Sequence, residues 1–111
     1  MKKLIYIFLL ILCCSGCHKT TTNIVFFYST TCPNCEKVEA FFNAEHVRNK
    51  VVFTEKEVSQ NKNNLIALVK MQKRCGMPMK GYVQVPLLWT GEKCITGYPD
   101  IIRFFRGKIE K

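Results

Sequence analysis

Two cysteines three positions apart, Cys32 and Cys35, stand where an apolar run meets the start of an amphipathic segment. Residues 24–28 are continuously apolar, as in a β-strand that is covered on both faces. Residues 33–45 repeat apolar side chains with helical spacing, and Pro33 suits a first helical position because it has no amide hydrogen to leave unpaired. The pair is therefore predicted to lie at a helix N-terminus, directly after a buried strand.

The position of Cys32 directly before Pro33 makes it the predicted N-cap residue of this helix. An N-cap side chain accepts hydrogen bonds from first-turn amides, here those of Asn34 and Cys35. These amides and the positive end of the helix dipole stabilise a thiolate more than a thiol. Because the thiolate is the attacking species in disulfide exchange, Cys32 is the predicted nucleophile. Cys35 lies on the helix face that turns toward the core and is the predicted resolving thiol.

The first 17 residues have the pattern of an export signal. Lys2 and Lys3 precede an apolar run at residues 4–14, which is too short for a typical membrane-spanning helix and has the length of a signal-peptide core. The run leads into Cys17, which stands where bacterial lipoprotein signals place the cysteine that receives lipid. Lipidation, ordinary cleavage and an uncleaved anchor all place the remaining chain outside the cytoplasm, where disulfides persist. We expect a membrane-tethered protein of the bacterial periplasm or cell surface.

The predicted organisation is a signal at residues 1–17, a polar tether at 18–23 and one domain at 24–108. Without Lys2 and Lys3, 15 basic residues face 8 acidic ones, a net charge of +7. We interpret this charge as a solvated surface near an anionic membrane. No nucleic-acid partner is expected, because no nucleic-acid motif is visible and the basic residues are scattered along the chain.

Periodicity predicts three more strands and two more helices after the first helix. They are a strand at 51–54, a helix at 65–75, a strand at 83–90, a strand at 93–95 and a helix that starts at Pro99 and stops at Gly107. The first two strands should be parallel, joined by a right-handed crossover. Ile66 is predicted to face the core, and Gly76 to end the second helix. Pro86 interrupts the third strand, where it cannot donate to the ladder.

Three segments carry a combined signature: Tyr-Ser-Thr-Thr-Cys-Pro-Asn-Cys at 28–35, Val-Pro-Leu-Leu-Trp at 85–89 and Gly-Glu-Lys-Cys-Ile-Thr-Gly at 91–97. In this order and spacing they resemble the thioredoxin-like superfamily, and within it small glutaredoxin-like and periplasmic thioredoxin-like proteins. The resemblance implies an α/β fold with a central four-stranded mixed sheet flanked by three helices. It also implies that Pro86 is a cis-proline facing the two thiols, near Pro33 and Asn34. The backbone of Val85 would pair with an extended substrate.

The activity that the resemblance implies is thiol–disulfide exchange on protein substrates. Cys32 would attack a substrate disulfide and Cys35 would release the mixed disulfide, without a cofactor. The expected partners are protein thiols or disulfides and a membrane or periplasmic protein that recycles the pair, and the chain is expected to act as a monomer. Glutaredoxins follow two glycines with an acidic patch that binds glutathione, whereas residues 96–100 keep one glycine and one acid, which argues against glutathione specificity.

Alternatives remain for the other cysteines. Cys75 and Cys94 form a structural disulfide or a relay pair, or each is a small buried apolar residue. A non-enzymatic alternative is a carrier of a soft metal such as Cu(I) or Zn(II). Its ligands would come from the cysteines, His18, His46, Met77 and Met79. Neither histidine stands at ligand spacing from the cysteine pair, so the oxidoreductase is the preferred hypothesis and no metal site is predicted.

Overall fold

A computed structural model describes residues 23–79, 81 and 83–110 of the chain. The elements in chain order are β1 (Val25–Tyr28), α1 (Pro33–Ala44), α2 (Val47–Lys50), β2 (Thr54–Glu57), α3 (Lys62–Arg74), β3 (Leu87–Trp89), β4 (Cys94–Thr96) and α4 (Tyr98–Ile109). The signal and lipidation predicted for residues 1–17, and all of the tether but Asn23, lie outside the described residues. Within the described ranges, no helix has the length and apolar character needed to cross a membrane.

The four strands form one mixed sheet in the order β2-β1-β3-β4. Strands β1 and β2 are parallel, as predicted, with Tyr28 opposite Glu57. Strand β3 runs antiparallel to both β1 and β4, and Phe27 of β1 lies opposite Leu87 at the start of β3. The end of β1 and the start of β3, which are the two central strands, therefore meet at one end of the sheet. The helix that begins with the cysteine pair starts at this end.

The predicted second strand at residues 51–54 is wrong, because the strand is Thr54–Glu57. Val51 ends the short helix α2, where its N–H donates to the carbonyl of Val47 at 2.9 Å. Val52 is 83% exposed. Among the strands of the described residues, β2 pairs with β1 alone and lies at the edge of the sheet, so its polar side chains can reach water and the strand has no apolar run that would predict it. Helix α2 is a fourth helix that the sequence-based prediction of three flanking helices omitted.

Other details of the sequence-based prediction also differ from the structure. The third strand is confined to Leu87–Trp89, so Pro86 precedes the strand instead of interrupting it. Gly107 lies inside α4, which ends at Ile109 with Glu110 as its cap; one glycine costs a helix only about 1 kcal/mol. Ile66 is 44% exposed and does not face the core. Gly76 does follow the end of α3 as predicted, with the positive φ of 68° that glycine adopts without strain.

The sheet separates two apolar layers of different character. On one side, α1, α2 and α4 enclose a layer rich in aromatic rings. Four of these rings, with centroids 4.8–5.2 Å apart, belong to Phe26, Phe42, Phe53 and Phe105. On the other side, α3 covers a smaller layer whose buried residues are Phe27, Val58, Leu68 and Leu87. Beside this layer, the buried ring of Trp89 lies under the guanidinium of Arg74 at the end of α3, 4.5 Å from the ring centroid. Fewer aromatic rings lie against α3 than against the opposite helices.

Candidate active site

Cys32 is the N-cap residue of α1, as the sequence predicts. Its backbone is extended, with φ of −101° and ψ of 113°, and Pro33 is the first residue of the helix. The N–H of Cys35 donates to Cys32 Sγ at an N···S distance of 3.1 Å. Cys32 is partly exposed, and Pro33 and Asn34 are exposed beside it. The Cys32 sulfur is therefore partly open to solvent and accepts a hydrogen bond from the first turn of the helix.

Cys35 is the shielded member of the pair. Its side chain lies on the buried face of α1, and the residue is only 3% exposed. Burial raises the pKa of Cys35 to about 12, and the hydrogen bond with Cys32 adds to the rise. At neutral pH, Cys35 of the reduced protein therefore holds its proton. Both sulfurs are free thiols in this structure, and they differ in exposure, because Cys32 is partly exposed and Cys35 is buried.

The loop before β3 lies against Cys32. The peptide bond between Val85 and Pro86 is cis, a geometry that is nearly confined to bonds preceding proline. The thiol of Cys32 points to the carbonyl of Val85 at an S···O distance of 3.8 Å. Pro86 is buried at the start of β3. The structure thus brings Val85 and Pro86, which are distant from Cys32 in sequence, to the end of the sheet where the cysteine pair lies.

Gln72 holds this loop from behind and was missed at the sequence level. It is only 1% exposed on the inner face of α3. Its Oε1 accepts a hydrogen bond from the N–H of Gln84 at 3.2 Å, and its Nε2 donates to Met79 Sδ at 3.6 Å. The available signal was a polar side chain four residues after Leu68, on the inward face of the helix. Gln72 therefore ties α3 to both ends of the segment that leads to Val85.

Glu57, at the end of β2, holds the loop on the other side of the pair. Its carboxylate accepts a hydrogen bond from the N–H of Thr30 at 2.9 Å and from the N–H of Gln60 at 2.6 Å. The hydroxyl of Ser59 and these amides lower the pKa of Glu57. The carboxylate thus stays charged while it fixes the turn that delivers the chain to Cys32.

A cleft of about 450 Å³ opens beside Cys35, between β1, α1 and β2. Arg48 lies in this cleft and bridges Glu39 and Glu55, with N···O distances of 2.7 Å to each. The bridge raises the pKa of Arg48, mainly through the hydrogen bond with Glu55. Through these two ion pairs, Arg48 of α2 links α1 to β2 beside the buried thiol.

Cys75 and Cys94 form a disulfide at the opposite end of the sheet from Cys32. The two residues are 19 positions apart and their Cα atoms are separated by 6.2 Å. Cys75 caps the end of α3, and Cys94 begins β4 opposite Trp89, the last residue of β3. Of the alternatives left open by the sequence, the structural disulfide is therefore the one that the structure contains. Because this disulfide lies at the end of the sheet away from Cys32, its position does not favour a relay between the two pairs.

The metal-carrier alternative gains no site from the fold. Among the described residues, no group of three histidine, cysteine or acidic side chains could hold a metal ion. His46 is exposed at the start of α2, and the thioether of Met79 already accepts a hydrogen bond from Gln72. His18 and Cys17 lie outside the described residues.

A CxxC pair at the start of α1, a cis-proline before β3 and a sheet of order β2-β1-β3-β4 define the thioredoxin-like fold, and this chain has that fold. Its neighbours among solved structures are glutaredoxins. The glutaredoxin Grx-1 of Archaeoglobus fulgidus has a TM-score of 0.53 and 18% identity over 83% of this chain and 99% of that one. A buckwheat glutaredoxin in complex with glutathione has a TM-score of 0.52 and 21% identity over 81% of this chain and 74% of that one.

Glutaredoxin 1 of Francisella tularensis, complexed with cacodylate, has a TM-score of 0.51 and 14% identity over 82% of this chain and all of its own. No protein-family model matches the sequence, and no curated protein matches it. At these identities the likeness is one of fold. The chemistry must be argued from the residues of this chain.

Proposed function

We propose that the chain is an extracytoplasmic, membrane-tethered thiol–disulfide oxidoreductase that acts on protein thiols through Cys32 and Cys35. One observation carries the proposal: a partly exposed Cys32 sulfur accepts the amide N–H of a buried Cys35 at 3.1 Å, beside a cis-proline loop. A disulfide that closes so small a loop would be a poor structural staple, since it removes little chain entropy. The arrangement suits a pair that opens and closes.

The exchange reaction follows from the difference between the two thiols. The Cys32 thiolate attacks one sulfur of a substrate disulfide, the substrate S–S bond breaks, and the other substrate sulfur leaves as a thiolate. A Cys32–substrate mixed disulfide results. Cys35 then loses its proton and attacks Cys32 Sγ, which releases the second substrate thiolate. The substrate disulfide has gained two electrons, and Cys32 and Cys35 have lost two in forming their own disulfide.

The high pKa of Cys35 orders these steps. With a pKa of about 12, the buried thiol does not compete for the first attack at neutral pH. It becomes the attacking group once Cys32 is in the mixed disulfide, held near it by the start of α1. The same steps in reverse transfer the Cys32–Cys35 disulfide to a substrate dithiol, and a redox partner then restores the oxidised pair.

A polypeptide substrate fits the surroundings of Cys32 better than a tripeptide thiol does. The carbonyl of Val85 lies within 3.8 Å of Cys32 Sγ, so an extended chain entering beside the sulfur could pair with this backbone as an added strand. The buckwheat neighbour is a complex with glutathione. In this chain, however, the segment after Thr96 has one glycine, Gly97, and one acid, Asp100.

Two features support the extracytoplasmic location. Residues 4–14 and Cys17 have the pattern of a lipoprotein signal. The disulfide between Cys75 and Cys94 is of a kind that persists in oxidising compartments and is rare in the cytosol. We expect the wild-type protein to fractionate with the membrane and to carry lipid on Cys17. Cys17→Ser should lose the lipid mass, whereas Cys13→Ser should keep it.

The reduction potential of the Cys32–Cys35 pair tests the proposed chemistry. The full chain in detergent micelles would be equilibrated in graded thiol buffers, alkylated and mapped by mass spectrometry. A reversible two-electron couple at these residues is the expected result. A potential near −120 mV would make the protein a disulfide donor, and one near −270 mV a reductant. Absence of a couple, together with retained copper or zinc, would replace the oxidoreductase by the metal carrier.

A further inference from the structure

Helix α3 presents an exposed face that carries positive charge alone. Its exposed residues are Lys62, Asn63, Ile66, Lys70, Lys73 and Arg74. Four of the six are cationic, and no acidic residue occurs anywhere in the helix. None of the three lysines forms an ion pair with a described residue. Lys70, Lys73 and Arg74 lie within about 6 Å of one another along the helix axis and share one field, whereas Lys62 lies about 12 Å from Lys70.

The helices on the opposite face of the sheet are different. Together α1, α2 and α4 carry six basic residues and three acidic ones, Glu36, Glu39 and Asp100. Two of these acids are neutralised in place, since Arg48 pairs with Glu39 and Arg103 pairs with Asp100. The α3 face therefore carries cations with no acid among them, whereas both acidic and basic residues occur on the opposite helices.

Apolar surface accompanies the charge on α3. Ile66 is 44% exposed in the middle of the cationic face, and Met79 of the following loop is 40% exposed. Met79 also lines an open cleft of about 450 Å³ between α3 and that loop, with Leu65, Val69, Gly81 and Val83. Two of the three most exposed large apolar side chains of the described residues thus lie on this side of the domain. Cations around exposed apolar groups are the composition that interfacial helices use at anionic bilayers.

We propose that the α3 face, defined by Lys62, Ile66, Lys70, Lys73 and Arg74, docks the domain on the anionic surface of the lipid bilayer to which it is tethered. Each cation close to such a surface strengthens binding by about fivefold. The exposed Ile66 side chain can enter the headgroup region, because the lysines around it place their charges among the lipid phosphates. The docking uses none of the redox residues, so it can fail while the oxidoreductase proposal stands.

Docking through α3 fixes how the active site faces its partners. The loop from Met79 to Val85 leads from the α3 side of the molecule to Cys32. The cysteine pair lies at one end of the sheet. Helix α1, which begins with this pair, packs on the face of the sheet opposite α3. The docked domain would therefore leave Cys32 uncovered, with the Val85 loop between it and the bilayer. Both a soluble substrate and a membrane-embedded redox partner could reach the sulfur.

Carbene footprinting of the full chain in proteoliposomes tests this proposal, because the label reports accessibility for every residue type. The vesicles are phosphatidylcholine alone, or with about one-third phosphatidylglycerol. In anionic vesicles, labelling of residues 62–74 should fall at least about twofold relative to neutral ones, while labelling of residues 98–109 should not change. Salt at about 0.5 M, which shortens the Debye length to about 4 Å, should restore the labelling.

Matched triple variants separate the two faces. Lys62→Gln/Lys70→Gln/Lys73→Gln should weaken docking about 100-fold and abolish the protection. Lys37→Gln/Lys50→Gln/Lys108→Gln removes the same charge from the opposite helices and should keep it. Equal labelling of wild-type residues 62–74 in both vesicles would overturn membrane docking. Protection of the same residues by soluble polyglutamate, and not by anionic vesicles, would also overturn it and would assign the face to an acidic protein.

Discussion

The two cysteine pairs of the domain lie at opposite ends of one sheet and differ in their bonding. Cys32 and Cys35 begin a helix, beside a loop that leaves Cys32 partly exposed, and their thiols are free. Cys75 and Cys94 end a helix and begin a strand, 19 positions apart, and their sulfurs are bonded. The amino acid is the same in both cases. The two pairs differ in their position relative to a helix end and in the length of chain that they enclose, and these differences support the proposal that one pair is reactive and the other structural.

The structural pair lies where the domain needs reinforcement. The layer under α3 contains few buried rings, whereas the opposite layer is built around Phe42 and its aromatic neighbours. The disulfide fastens α3 to β4, and Gln72 fastens the same helix to the loop that carries Val85. A covalent bond and a buried amide thus supplement a thin apolar layer. The reactive pair, by contrast, is supported by the better packed helix α1.

The largest expected effect separates the two pairs by activity. Cys32→Ser should lower the rate of disulfide exchange with a protein substrate at least about 1000-fold, because it removes the attacking sulfur. The Cys75→Ser/Cys94→Ser variant should keep the rate within about threefold, since that pair lies at the end of the sheet away from Cys32. Turnover of a disulfide-containing protein measures both. Comparable losses in the two variants would make the second pair part of the reaction.

Loss of the Cys75–Cys94 disulfide should lower the free energy of unfolding more than loss of the Cys32–Cys35 disulfide does. The Cys75→Ser/Cys94→Ser variant should lose about 3 kcal/mol of unfolding free energy, the value expected from releasing a loop of this length. Reduction of the Cys32–Cys35 disulfide should change stability by about 2 kcal/mol or less, because that disulfide closes a smaller loop. Urea unfolding of each form measures the difference. If removal of the second pair leaves stability unaltered, its role as a staple is excluded.

Gln72 offers a test of how the loop at the active site is held. Gln72→Met keeps the size of the side chain but leaves the N–H of Gln84 without its partner, at a cost of about 2 kcal/mol. The rate constant kcat/KM for a protein substrate should fall about tenfold, because Val85 is no longer held in place. Exchange with a small aromatic disulfide should stay within about twofold, since it needs only Cys32.

Gln60→Met, at an exposed position, is the control for this experiment. It should leave both rates unchanged. Equal losses for the protein and the small disulfide in Gln72→Met would indicate general damage to the fold and would remove Gln72 from the positioning role.

The smallest expected effect concerns pH and the buried thiol. In the folded, reduced protein the pKa of Cys35 is raised from 9.0 to about 12 by burial, so the native state holds this proton more tightly than the unfolded chain does. The resulting stability is complete below pH 9.0 and is lost as the pH rises toward 12. At pH 10 the loss should be about 1 kcal/mol. Urea unfolding of reduced and oxidised protein measures it.

The oxidised protein is the internal control, because it has no Cys35 proton to lose. Cys35→Ser provides a second control in reducing buffer. The alkaline decline that is specific to the reduced wild type should be missing from both. A decline of equal size in all three forms would mean that other groups cause it.

Local chemistry allowed much of the site to be predicted. The N-cap at Cys32, the helix start at Pro33 and the burial of Cys35 depend on neighbours within one helical turn, and all three are found as predicted. The four-stranded mixed sheet followed from the resemblance carried by residues 28–35, 85–89 and 91–97, and the structure has such a sheet. The redox roles of the two cysteines remain predictions until their potential is measured.

The start of the first helix, the cap at Cys32 and the burial of the first strand could be predicted from the sequence, because they depend on short-range hydrogen bonds and on one apolar run. The other features depend on tertiary packing. Strand β2 is polar and exists because β1 offers its edge. The outward turn of Ile66, the pairing of Cys75 with Cys94 and the hold of Gln72 on Gln84 depend on how α3 packs against the sheet, and residues so far apart meet only after that packing.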